Sequence, residues 1–105
     1  MIKINEILSS PVPLDGKTIE TKGIFKYGKE LCAIYDNDGN SIWLVNPASA
    51  SNSKTIKSAN GKLVKVSGIF INKSKVGTGH FNQWSAELRN IEVFQIINRE
   101  HSDTL

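Results

Sequence analysis

A ten-residue phrase occurs twice in this chain. Gly16-Lys17-Thr18-Ile19-Glu20-Thr21-Lys22-Gly23-Ile24-Phe25 returns as Gly61-Lys62-Leu63-Val64-Lys65-Val66-Ser67-Gly68-Ile69-Phe70, with both glycines, the first lysine and the closing Ile-Phe in matching places. Each copy reads as a turn glycine that opens a strand of alternating character, with a second glycine inside the strand where it bends sharply. Two long bent strands of one design, separated by a hairpin and a Ser-rich connector, fit a small closed barrel.

The rest of the chain divides around these copies. Ile2, Ile4, Ile7 and Leu8 surround Asn5, an N-cap for a short helical turn that would end before Pro11 and plug one end of the barrel. Pro11 to Gly16 reads as an extended connector. The first strand is expected over 17–27, with Ile19, Thr21, Gly23 and Phe25 inward and Ile24 and Lys26 on the other face. A tight turn at Tyr27-Gly28-Lys29-Glu30 leads into a second strand, 31–35, and Asp38-Gly39 supplies a hairpin turn into a third, 41–45. The connector 48–59 is small and polar, a loop or weak helix whose Ile56 touches the barrel. The fourth strand, 62–72, points Val64, Val66, Gly68 and Phe70 inward. A fifth, 84–97, alternates through Trp84, Ala86 and Leu88, then changes phase at Arg89-Asn90 through a bulge, placing Ile91, Val93 and Ile96 inside. The expected organisation is one domain over 1–97 followed by a polar tail, 98–105.

A chain of 105 residues can remove roughly 65% of its unfolded surface from water and needs no staples. Its single cysteine, Cys32, excludes an internal disulfide and reads as a small buried apolar residue. The first residues lack the continuous apolar run of a signal peptide, and no window reaches the length of a membrane span, so a soluble cytoplasmic protein is expected. The net charge of +3 permits a polyanionic partner without demanding one.

Several chemistries lack their residues. Asp36-Asn37-Asp38-Gly39-Asn40 resembles the start of a calcium loop, but the glycine comes two places early and Pro47 stands where a bidentate Glu is needed. Gly16-Lys17-Thr18 echoes a phosphate-binding loop, but Pro11 occupies the upstream glycine position. Two histidines and one cysteine, without ligand spacing, offer no zinc site, and no Gly-x-Ser-x-Gly elbow is present. The expectation is a binding protein, not an enzyme, with no metal and no cofactor.

The order strand, strand, strand, weak helix, strand, strand, with a fourth strand built like the first, resembles the OB-fold, the five-stranded Greek-key barrel that binds oligonucleotides and oligosaccharides. The doubled Gly-Lys phrase is similar to that of small bacterial OB domains. The resemblance covers residues 4–97 and implies an all-β barrel in which the first and fourth strands pair. It also implies a ligand lying across the second and third strands, between the loops that join strands one to two and four to five. Residue by residue, that places Lys26, Tyr27 and Lys29 on one loop, Lys73, Lys75, His80 and Phe81 on the other, and Tyr35 or Trp43 on the platform, with a core position the alternative for Tyr35.

Basic side chains among aromatics suit single-stranded DNA or RNA, because ammonium groups meet phosphates and rings stack on bases. Phe81 stands out, since a basic Gly-rich loop has little structural need of a phenyl ring. Alternation leaves open whether Trp43 or the pair Ile42 and Leu44 is buried; Trp84 is expected at the barrel rim and His80 as a surface imidazole. The alternative role is protein interaction or self-association through Ile24, Ile69 and Ile71, contiguous if the first and fourth strands pair in the right register. A sugar or other small ligand has only the family resemblance behind it.

Overall fold

The structure is a computed structural model and describes residues 1–97. The polar tail expected over 98–105 lies outside the described residues. Strands β1 (Thr18–Gly28), β2 (Leu31–Tyr35), β3 (Ser41–Leu44), β4 (Leu63–Asn72) and β5 (Ala86–Ile96) close into one barrel in the order β1-β2-β3-β5-β4. All neighbours are antiparallel except β3 and β5, which run parallel through Trp43↔Glu87 and Leu44↔Leu88. Helices are short: α1 (Ile4–Ser9) and α2 (Pro11–Leu14) precede β1, and α3 (Ser53–Ser58) lies between β3 and β4. No helix among the described residues is long and apolar enough to cross a membrane.

The repeated phrase does what its glycines require. A Cβ on Gly23 would stand 2.8 Å from the Tyr35 carbonyl oxygen and 2.9 Å from Ile4 Cδ1; one on Gly68 would stand 2.9 Å from the Arg89 carbonyl oxygen. Neither strand could cross its neighbour so closely with a side chain there. Ile19, Thr21 and Phe25 of β1 and Val64, Val66 and Phe70 of β4 point into the barrel, where Phe25 meets the edge of Phe94 at 4.9 Å. Ile4 and Ile7 of α1, and Ile56 and Ala59 at α3, enter the same buried cluster. Asn52 caps α3, its Oδ1 accepting from the Thr55 N–H at 2.8 Å.

Four details differ from the sequence reading. The first helix starts at Ile4, with the Glu6 carboxylate accepting the Lys3 N–H at 3.3 Å, so the turn begins before Asn5. The stretch expected to be extended after Pro11 is helical over 11–14, because the first turn of a helix leaves its N–H groups unbonded and tolerates proline. In β5 the bulge centres on Asn90, whose φ is 51°, and the register jumps from Ile69↔Arg89 to Ser67↔Val93. That shift is one step longer than the alternation suggests, so Phe94 rather than Val93 turns into the core beside Ile91.

The fourth concerns the expected apolar patch. Antiparallel pairing sets Ile24 against Leu63 and Ile69 against Thr18, six positions away along β1, or roughly 20 Å. Ile71 lies further on, opposite Glu87 of β5. Ile24, Ile69 and Ile71 therefore do not form one contiguous surface.

Candidate functional site

The loop from Lys73 to Ser85 joins β4 to β5, and its backbone is bonded at several points. Lys73 N–H donates to the Ser85 carbonyl at 2.8 Å, Gly77 N–H to Lys73 at 2.7 Å, and Thr78 and Trp84 exchange bonds of 2.9 and 3.0 Å. The result is a small hairpin folded back over the outer face of β3 and β5. Gly79 lies flat on two indoles: a Cβ there would be 2.6 Å from Trp43 Cε3 and 2.9 Å from Trp84 Cε3. Its φ of 77° with ψ of −164° is a conformation essentially reserved for glycine.

This settles the position of Trp43. Ile42 and Leu44 are buried, so Trp43 points outward, where its ring packs against Trp84 at 4.9 Å and under Gly79. Trp84 belongs to this outer layer, and its indole N–H is buried without a partner. Beside the indoles, the Glu87 carboxylate accepts the Thr78 hydroxyl and, at 2.7 Å, the Arg89 Nε–H, while only 3% of Glu87 is exposed. Glu87 was not legible as special: it occupies an outward position of an alternating strand, where a carboxylate is ordinarily solvated. The available signal was Arg89 two residues on, which a strand places on the same face.

The loop also reaches the hairpin between β1 and β2. His80 Nε2 lies 3.1 Å from Glu30 Oε2, tying together the two loops named from the sequence. Phe81 follows with φ of 54°, its ring 3.9 Å from the His80 ring and 80% exposed, the most open large apolar side chain among the described residues. Lys75 is exposed on the same loop and Lys73 is half-buried at its base.

The platform residues divide by strand phase. Lys26, Ala33, Trp43 and Glu87 form one outward row across β1, β2, β3 and β5, and Ile24, Tyr35 and Ser41 form the next. Lys26 Nζ sits 4.8 Å above the Tyr35 ring, so both belong to this face. Tyr27 does not: it takes the inner phase of β1, stacks on Phe25 at 5.8 Å and is held at the rim by its N–H to Asn60 Oδ1 at 2.9 Å. Lys29 is exposed at the hairpin tip. Cys32 lies opposite Tyr27 on β2, and burial pushes its thiol from 9.0 up to about 11.

The charges are unevenly used. Among the described residues, Arg89 is the basic side chain found in an ion pair, His80 meets the Glu30 carboxylate, and no lysine is paired. Several acids, by contrast, serve the fold: Asp15 accepts the Asn72 N–H, Asp36 accepts the Asp38 and Asn40 N–H groups, and Glu30 and Glu87 hold His80 and Arg89. Among the described residues, no three His, Cys, Asp or Glu side chains converge to hold a metal ion. No protein-family model matches the chain, and no curated protein matches it in sequence.

Proposed function

We propose that the barrel is of the OB type and acts as a non-enzymatic module that binds single-stranded DNA or RNA. The strand order β1-β2-β3-β5-β4 with a helix between β3 and β4 supports the OB reading. The observation that carries the ligand is Phe81. Trp43 and Trp84 are packed against each other and Gly79, whereas Phe81 is held outward on a bonded loop, braced by His80. A ring left in water contributes little to the fold, and a base stacked on it would bury its face.

The ligand's path runs from Phe81 and His80, past Lys29 at the hairpin tip, to Lys26 and Tyr35, with Lys75 and Lys73 on the outer side. Trp43 supports the loop from below and does not itself meet a base. Tyr27 flanks this path at the rim. The lysines would meet phosphates, an interaction weakened by salt.

Phe81→Ala is expected to weaken single-strand binding by about 5- to 100-fold, the range of one base stacked on one ring, and to leave unfolding unchanged within about 0.5 kcal/mol. Replacing Lys73 and Lys75 together with Ala should lower the salt slope by roughly 0.7 for each phosphate no longer neutralised. Unchanged affinity in the Phe81 variant would contradict the assignment.

A further inference from the structure

A second surface lies on the opposite flank of β1. This strand leaves β2 at Ile24↔Tyr35, while nearer its start the Ile2 N–H bonds the Glu20 carbonyl at 3.1 Å. Lys22 lies between these attachments. Odd-numbered residues of β1 direct their backbone groups to β4, as the Phe25 N–H to Lys62 carbonyl bond of 2.9 Å shows, so those of Lys22 turn the other way, where no strand runs. They open on a groove of about 670 Å³ lined by Lys3, Lys22, Ile24, Tyr35, Asp38 and Leu63.

The register arranges these side chains in two rows. Leu63, Ile24 and Tyr35 lie side by side across β4, β1 and β2, forming an apolar floor with an aromatic end. In the next row Lys22 stands directly opposite Lys65 of β4, which flanks the groove without lining it. Theirs is a pair without mutual backbone bonds, the kind in which side chains approach most closely, and like charges so placed destabilise a sheet. Among the described residues, no acid relieves them with an ion pair. Lys3 adds a third ammonium to the lining, and the carboxylates there are Asp38 and Asp36, the latter taken up by the Asp38 and Asn40 N–H groups.

We propose that this groove binds a nucleoside monophosphate group, with the phosphate between Lys3, Lys22 and Lys65 and the planar base over Ile24, Leu63 and Tyr35. The group is either a free nucleotide or the phosphorylated end of a strand. The lysines opposed across β1 and β4 are then a phosphate clamp whose repulsion is relieved on binding. This surface meets the path from Phe81 only at Tyr35 and does not rest on the reading of that loop.

The test is an amide chemical-shift titration of the whole chain with inorganic phosphate, with adenosine monophosphate, and with short oligonucleotides carrying either a 5′-phosphate or a 5′-hydroxyl. The amides of Lys22, Gly23, Ile24 and Leu63 should move with the nucleotide and less with phosphate alone. In the double variant Lys22→Gln, Lys65→Gln, affinity should fall about 10-fold or more while the thermal midpoint rises, because the same change removes a repulsion. Equal binding of the two oligonucleotides would assign the groove to a free nucleotide, and a lysine-dependent preference for the 5′-phosphate would assign it to a strand end. Phe81→Ala should leave the groove shifts unchanged, so failure of the loop reading and failure of this one are distinguishable. Groove amides that respond to neither the nucleotide nor the phosphorylated oligonucleotide, or that respond identically in the double variant, would overturn the proposal.

Discussion

Glu87 and Lys22 both point outward from the barrel, at corresponding outward positions of their strands, and their surroundings are opposites. Glu87 is covered by the β4–β5 loop and receives the Thr78 hydroxyl and Arg89 guanidinium. Lys22 faces Lys65 beside an open groove, without an acid partner among the described residues. A buried charge must be met by internal partners or the fold fails. An exposed like-charged pair imposes a small cost that the fold tolerates, and it keeps hydrogen-bonding capacity for something outside. One flank is therefore finished by the chain itself, and the other is the one on which the proposed ligand would sit. Phe81 belongs with the second kind although it sits on the finished loop, because the bonds that order that loop fix the ring in water.

The comparison can be broken first at Gly79. Gly79→Ala should cost about 3 kcal/mol, since the new methyl group meets Trp43 at 2.6 Å and the backbone is in a region closed to other residues. Tryptophan emission should shift to the red as the loop lifts from the indoles. Normal stability with unshifted emission would mean that the loop does not rest on Trp43. The next effect is at Arg89. Arg89→Ala strands a carboxylate that is 3% exposed and should cost about 2–3 kcal/mol, less than a fully buried pair because the Arg89 side chain is 43% exposed. Glu87→Gln should cost only about 1 kcal/mol, since the amide oxygen still accepts from Thr78 and the arginine regains water. Equal costs in chemical denaturation would show that Glu87 is not the buried member.

The smallest effect is expected at Cys32, on β2 between the two flanks. With its thiol pushed from 9.0 up to about 11 by burial, the folded chain favours the protonated form. The stability it contributes is fully present below pH 9 and is lost as pH rises from 9 toward 11, because the unfolded chain ionises first. Cys32→Ala should remove that part of the alkaline slope. At pH 8 the thiolate fraction should be about 100-fold below that of an unstructured cysteine, which slow alkylation with iodoacetamide would register.

The barrel was legible because its determinants are local and periodic. The repeated Gly-Lys phrase marks two strands that must bend, and period-two alternation assigned the inward residues Ile19, Thr21, Gly23 and Phe25, and Val64, Val66, Gly68 and Phe70. Phe94 escaped because a bulge moves the phase by an amount that only the partner strand determines. The site was legible in part. Loop composition singled out Phe81 and His80 as candidates, but not that His80 would reach Glu30, fifty positions away in sequence. The isoleucine patch failed on register: alternation says that Ile24 and Ile69 share a face, but not how far apart pairing sets them along it. The groove at Lys22 was invisible for the same reason, since Lys22 and Lys65 are neighbours only once β1 and β4 are aligned, and Leu63 meets Ile24 only then.

The proposed binding of single strands is decided by a fluorescence anisotropy titration of the chain with labelled single-stranded DNA and RNA and a duplex control, at low and near-physiological salt. Single strands should bind in preference to duplex, with log affinity falling linearly in log salt at roughly 0.7 per phosphate neutralised. No binding of either single strand at low salt, or equal binding of duplex, would contradict it.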